Sequence, residues 1–190
     1  LLDDRQVEEL QEFRQVDFSF GLADVGRFRA NAFLQRSTHA LALRVVPNRV
    51  RNLDELGAPL ACVDLLNKPY GLVLVVGPTG SGKSTTLAAM IDKINQTKPC
   101  HILTIEDPIE YLHYHKMAMV NQREVGTDVN SFTDGLRSAL REDPDVILLG
   151  EMRDLDSISI TLTLAETGHL VFATLHTNDA SQALDRIVDV

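Results

Sequence analysis

The sequence predicts an α/β core built on a mainly parallel sheet, preceded by part of a small α+β domain. Apolar runs at 72–76, 102–105, 146–149 and 170–175 are separated by stretches of helical periodicity. Short apolar strands alternating with helices imply a parallel sheet covered by helices on its faces. A glycine-rich loop at 77–84 stands between one such run and an amphipathic helix. Residues 1–57 lack this rhythm and read as the smaller unit, so the boundary is placed between 57 and 58.

Taken in order, residues 3–17 are polar and acidic, with Val7, Leu10, Phe13 and Arg14 at helical spacing. That predicts a short helix with a solvated charged face. Residues 27–34 alternate polar and apolar for most of their length, as a half-buried strand does. Residues 41–46 read as a second strand stopped by Pro47, and the polar 35–39 turns the chain between the two. Residues 53–56 read as one helical turn ended by Gly57. Pro59 suits the first turn of a helix running to about residue 67, and Pro69-Tyr70-Gly71 breaks it.

The run 72–76 is apolar throughout, as expected of a strand buried on both faces. After the glycine-rich loop a helix carries Leu87, Met90, Ile91 and Ile94 on one face. Strands follow at 102–105, 117–120, 146–149 and 170–175. Ser131, with Asp134 three residues later, opens a helix bearing Leu136, Ala139 and Leu140. Residues 157–164 alternate Ser or Thr with Ile or Leu, the period-two, β-branched mark of a strand. Asp156 as N-cap and Gly168 as C-cap argue for a helix instead. Helix is preferred, because a strand directly before 170–175 would crowd the parallel pattern.

Composition excludes several classes. The formal net charge is 18 − 27 = −9, against the basic footprint of nonspecific nucleic-acid binding. With 44% hydrophobic and 24% charged residues, the chain is an ordinary globular one and no disordered acidic tail. No apolar run nears the roughly 20 residues of a membrane-spanning helix, so no membrane span is expected. Cys62 and Cys100 give neither a disulfide framework nor a zinc quartet. They read as reduced, mostly buried thiols of a cytosolic protein. No basic segment leads into an apolar one, so no signal peptide is expected. The chain starts Leu1-Leu2 and ends Asp189-Val190, and it reads as a piece of a longer polypeptide.

The strongest chemical signal is Gly77-Pro78-Thr79-Gly80-Ser81-Gly82-Lys83-Ser84, which fits G-x-x-x-x-G-K-[ST]. Glycines let the backbone turn tightly and aim successive N–H groups at phosphate oxygens. The helix that follows presents its positive N-terminal end to the same anion. Lys83 reaches the β- and γ-phosphates and the Ser84 hydroxyl binds Mg²⁺ in this arrangement. Thr85 and Thr86 extend the polar rim toward the α-phosphate. A strand before the loop and an amphipathic helix after it separate this match from an ordinary Gly-rich turn.

Two more apolar strands end in acids. One is Val146-Ile147-Leu148-Leu149-Gly150-Glu151, where Glu151 binds Mg²⁺ or acts on the attacking water. The other is Ile102-Leu103-Thr104-Ile105-Glu106. Ligands bind at the C-terminal edge of a parallel sheet, so both acids would converge on the loop. Hydrolysis needs a carboxylate to orient or deprotonate water. Glu106 is the first candidate and Glu151 the second. Asp107 and Glu110 read as loop-shaping or solvated acids. His176 follows the strand 170–175 on the same edge, where an imidazole can hydrogen-bond a γ-phosphate. His169 lies at the strand's other end. His113 and His115 lack further ligands at metal spacing and read as surface or strand-edge histidines.

Together these segments resemble the secretion ATPases, with a nearer likeness to those that retract type IV pili in twitching motility. Glu106-Asp107-Pro108-Ile109-Glu110 is similar to their aspartate box and Gly150-Glu151-Met152-Arg153-Asp154 to their Walker B motif. Thr167-Gly168-His169 through Leu175-His176-Thr177 is similar to their histidine box. Asn121-Gln122-Arg123-Glu124-Val125, residues 136–145 and Ala165-Glu166-Thr167-Gly168-His169 carry the nearer likeness. Phe18-Ser19-Phe20 and residues 27–33 look like the second half of a PAS-like N-terminal domain.

The resemblance implies a RecA-like P-loop core that hydrolyses ATP with Mg²⁺, in a homo-hexamer that binds ATP between neighbouring subunits. It implies a cytoplasmic motor, peripheral to the inner membrane, acting on a pilus platform protein there. Arg29 and Arg44 would close over the phosphates, and Arg137 and Arg141 would contact nucleotide or a neighbour across an interface. Arginine suits these roles because a planar, permanently charged fork stabilises transition-state charge. Against each stands the surface ion pair of little worth.

Residues 159–163 are more polar and β-branched than the alanine-rich helix the family leads one to expect. The first half of the N-terminal domain and the C-terminal helices of the core are missing from the 190 residues. This piece alone is therefore expected to bind nucleotide poorly if a ring supplies half the site. Within the same class stand pilus-extension and type II secretion ATPases, whose four-cysteine module would lie beyond Val190. Ala165-Glu166 before Thr167 favours retraction. A nonhydrolytic regulatory module is the reading from a different class, and the intact acids Glu106 and Glu151 argue against it.

Overall fold

The N-terminal residues build one helix on a three-stranded antiparallel sheet. In the computed structural model, residues 1–23, 25–47, 49–177 and 179–188 are described, so the terminal Asp189-Val190 lies outside them. The chain divides into two units, Leu1–Arg49 and Val50–Val190.

In the first unit, helix α1 (Asp4–Phe13) opens on a capping box between Asp3 and Gln6. It ends at Arg14, whose φ of 64° is left-handed. Strands β1 (Gln15–Leu22), β2 (Gly26–Gln35) and β3 (Thr38–Val45) lie in the order β1-β2-β3. Helical spacing predicted that the helix would run on to residue 17. The left-handed turn stops it, and residues 15–22 pair with β2 instead. The overlooked signal is the alternation Val16, Phe18, Phe20, which puts these side chains on the face packed with Leu10, Ala30 and Ala32. Arg29 and Arg44 are opposite one another across β2 and β3.

In the second unit, β4 (Gly71–Val76), β5 (His101–Glu106), β6 (Met119–Glu124), β7 (Val146–Leu149) and β8 (Leu170–Leu175) form a wholly parallel sheet. Its order is β4-β8-β7-β5-β6. Short α2 (Leu60–Leu65) precedes it, and α3 (Lys83–Thr97), α4 (Phe132–Ala139), α5 (Leu155–Glu166) and α6 (Ala180–Val188) complete the unit. The strands alternate their side chains between two cores. Val146, Leu148, Leu170 and Phe172 pack with Leu87, Met90, Ile91 and Ile94 of α3. Ile147, Leu149, Val171 and Ala173 pack with Leu136 of α4 and with Ile158 and Leu164 of α5. Helices cover both faces, as the alternating pattern required.

The ambiguous 157–164 segment is helix. Its cap is Asp154, not Asp156, and a capping box joins Asp154 to Ser157. Ser157, Ile158, Thr161, Leu164 and Ala165 are its buried residues, and that spacing belongs to a helix. Strand β6 also sits later than the expected 117–120. The N–H groups of Met117 and Ala118 bond instead to the Asn95 carbonyl, at 2.9 and 3.2 Å. Cys62 and Cys100 are free and half-buried, and burial raises the Cys100 thiol.

Helix α3 straps down the segment between β5 and β6. Asn95 donates to the Tyr114 carbonyl at 2.7 Å and accepts from the Lys116 N–H at 3.1 Å. Asp92 accepts from Lys116 Nζ and from Gln96 Nε2, both at 2.6 Å. Burial pushes the Asp92 carboxyl up, but His113, Lys116 and Gln96 outweigh it and hold the group down at about 2. A depressed carboxylate stabilises the fold above its unfolded value of about 4 and loses that contribution as pH falls toward 2. Asp92→Asn is expected to lower stability by about 1–2 kcal/mol at neutral pH. Urea unfolding from pH 7 to pH 2.5 checks this, because the gap between variant and parent must narrow below about pH 4. A gap that stays constant with pH contradicts the assignment.

Candidate active site

The glycine-rich loop connects β4 to α3 at the C-terminal edge of the sheet. Gly77, Gly80 and Gly82 have φ of 147°, 79° and 97°, a region that side chains resist. A Cβ on Gly77 would lie 2.7 Å from Ser81 Oγ, so that hydroxyl would have to turn away to admit one. Lys83 opens α3 and is only 8% exposed. Its ammonium donates to the carbonyls of Gly77 at 2.9 Å and Pro78 at 3.1 Å, and lies 3.4 Å from His176 Nδ1. The cation is thus held inside the loop's own carbonyls. Ser84 follows in the first turn, and Thr85 Oγ1 meets the Tyr111 hydroxyl at 2.9 Å.

Glu106 ends β5 and is 7% exposed. Burial raises its carboxyl, and the bonds from Thr104, Gln122 and the Glu110 N–H oppose that rise. Glu151 lies two residues past β7. Its Oε2 accepts from Arg153 Nε at 2.8 Å, and its Oε1 lies 3.4 Å from His176 Nε2. Arg153 also donates to Asp107 Oδ2 at 3.1 Å and lies 5.6 Å over the Phe132 ring. The Glu151 hydrogen bond raises the Arg153 guanidinium, which stays charged. A continuous polar chain therefore runs from Lys83 through His176, Glu151 and Arg153 to Asp107.

The structure brings together Lys83, His176 and Glu151, with Glu106 on the neighbouring strand end. His169 stands apart at the start of β8, where its Nδ1 lies 2.9 Å from the Leu164 carbonyl at the end of α5. Arg137 on α4 is exposed and 3.9 Å from Asp156, and Arg141 donates to the Arg137 carbonyl at 3.4 Å. Arg29 and Arg44 belong to the first unit. His113 is buried rather than on the surface, while His115 is exposed and its Nδ1 accepts the Val120 N–H at 3.0 Å. Sequence reasoning gave no role to Arg153, Tyr111 or Gln122. Arg153 was legible only as a letter of its motif, and the other two act through contacts made 16 or more residues away in the chain.

The residues suit a nucleotide phosphate with Mg²⁺. The loop turns on three glycines of positive φ, it holds one buried ammonium, and the hydroxyl of Ser84 and carboxylate of Glu151 are hard oxygen donors. Among the described residues no group of three or more His, Cys, Asp or Glu is placed to hold a metal by itself. Phosphate oxygens and water would have to complete the shell, as is usual for Mg²⁺.

The chain is similar to known proteins in sequence and fold. The model of the Type II/IV secretion system protein family matches residues 17–190. The type IV pilus retraction ATPase PilT of Pseudomonas aeruginosa is 55% identical over 190 residues, all of this chain and 55% of that protein. A twitching motility protein of Neisseria gonorrhoeae is 56% identical over the same 190 residues, 51% of its length. The crystal structure of the pilus retraction motor PilT with bound ADP superposes at a TM-score of 0.97 with 58% identity. That match covers 100% of this chain and 55% of the other. The chain thus spans about half the length of these relatives.

Proposed function

The chain belongs to the Type II/IV secretion system protein family, and on that premise we propose that it carries the ATP site of a motor that retracts type IV pili. The observation that carries this reading is the convergence of Lys83, Glu106, Glu151 and His176 at the ends of four parallel strands or the loop one of them feeds. The similarity across the full chain to proteins of pilus retraction and twitching motility supports the choice of task.

The reaction is in-line attack of water on the γ-phosphate, which rests on positioning and electrostatics more than on covalent chemistry. The loop N–H groups and Lys83 bind the phosphates, with Lys83 leaving the carbonyls of Gly77 and Pro78 to do so. Glu106 orients the water and takes its proton. His176 stands between Lys83 and Glu151, where it senses the γ-phosphate and its loss. Ser84 and Glu151 would hold Mg²⁺, which would supply charge neutralisation on the phosphate oxygens. Arg153 keeps Glu151 turned into the site.

The same reading assigns Arg29 and Arg44 to closure over the phosphates, and Arg137 and Arg141 to contacts with nucleotide or a neighbour. It makes the full protein a homo-hexamer on the cytoplasmic side of the inner membrane, working against a pilus platform protein. Among the described residues no helix is long and apolar enough to cross a membrane. Deletion of the gene in its host separates the directions of work. Cells that assemble pili yet fail to retract them or twitch are the expected result. Cells that lack assembled pili, or that lose secretion with piliation intact, point to the extension or secretion ATPases instead.

A further inference from the structure

Glu106 is held by three donors, and they are unevenly divided between its oxygens. Thr104 Oγ1 donates to Oε1 at 2.7 Å and Gln122 Nε2 donates to the same Oε1 at 3.1 Å. Among the described residues, Oε2 receives only the Glu110 N–H, at a long 3.4 Å. The arrangement follows from the sheet. Thr104 and Glu106 are two residues apart on β5 and share a face, and Gln122 is the register partner of Thr104 on β6.

The Gln122 amide has one possible orientation. Its Oε1 accepts the His113 N–H at 2.7 Å, and its Nε2 also donates to the Tyr111 carbonyl at 2.9 Å. Backbone groups cannot reverse roles, so the amide cannot flip without losing both bonds. The remaining N–H is therefore fixed on Glu106. We propose that Gln122, together with Thr104, is a positioning residue that seats Oε1 of Glu106 and leaves Oε2 to face the attacking water. This rests on the reading of Glu106 as the water-orienting acid.

The groups around this carboxyl leave these two donors in control. On β6, Glu124 accepts from the Ile109 N–H and from Thr127. In the segment after β5, His113 exerts a favourable charge effect on Glu106, and its ring lies beside Asp92 of α3. Glu110 contributes its N–H, and Asp107 is paired with Arg153. Past β7, Glu151 is paired with Arg153 as well. Donors on Oε1 stabilise the ionised form, so their loss raises the carboxyl's pKa and leaves less base at a given pH. The acid limb of the rate profile then moves to higher pH.

The test is single-turnover ATP hydrolysis by the full-length protein between about pH 5 and pH 9, with KM measured alongside. Gln122→Met keeps length and removes the donor, and Thr104→Val keeps shape and removes the hydroxyl. Each is expected to move the acid limb up by about one pH unit and to lower kcat by about tenfold, with KM little changed. Thr104→Ser restores the hydroxyl and with it the parental limb. If Thr104→Val does not fold, Gln122→Met decides alone, because its side chain is only half-buried. Loss of activity with an unmoved acid limb, or a change confined to KM, overturns the positioning role. Full activity in Glu106→Gln overturns the underlying reading instead, so the two failures are distinguishable.

Discussion

Glu106→Gln in the full-length protein is expected to lower kcat for ATP hydrolysis by about a thousandfold while nucleotide binding changes little. General-base catalysis typically supplies 10²–10⁴-fold, and a primary amide cannot take a proton from water. The substitution is otherwise gentle. Glutamine keeps the volume and offers one oxygen to the donors of Thr104 and Gln122 that now hold Oε1. It also relieves the cost of burying a charge, which is what raises this carboxyl in the first place. A large fall in kcat without loss of fold or of ADP binding is therefore a signature of chemistry. Hydrolysis at the parental rate would falsify the assignment. Glu151→Gln should differ in kind, since it loosens Arg153 and weakens the response to Mg²⁺ concentration.

Lys83→Ala is expected to weaken ATP binding by about a hundredfold, some 2.7 kcal/mol, and to abolish measurable hydrolysis. The ammonium lies almost wholly out of water among the carbonyls of Gly77 and Pro78, where charge interactions are strong. Truncation takes away the one buried cation of the loop and leaves those carbonyls without their donor. Lys83→Arg is not expected to rescue, because a planar guanidinium does not fit a seat shaped for a compact ammonium. Titration with a fluorescent ATP analogue beside an ATPase assay reads both effects. Parental affinity in Lys83→Ala would mean that the phosphates bind elsewhere.

Much of this molecule was legible before folding. The loop Gly77–Ser84 declares itself because its chemistry is local: glycines for the turn, then a lysine and a hydroxyl at fixed offsets. Strand and helix order in the core was legible for a similar reason, since strands buried on both faces are apolar throughout. The acids Glu106 and Glu151 were found because one ends such a strand and the other follows one closely. The 157–164 segment reads two ways, as its Ser and Thr residues write a period of two, and the preferred helix is what forms. Ser157 and Thr161 are nonetheless buried in the helix with Ile158 and Leu164, and packing against the sheet overrode the alternation.

What the sequence could not hold is pairing between distant residues. It presented Thr104 and Glu106 at the end of one expected strand and Gln122 beyond the end of the next, and only the parallel register of β5 with β6 makes two of them the seat of the third. In the same way Arg153 became the bridge between Glu151 and Asp107 only when β5 and β7 came side by side. The sequence by itself determined a glycine-rich loop with its lysine and two acids on a parallel sheet, because those are properties of consecutive residues. The tertiary structure decided which oxygen of Glu106 is held and which acid Arg153 restrains, because hydrogen bonds depend on distance and angle across strands.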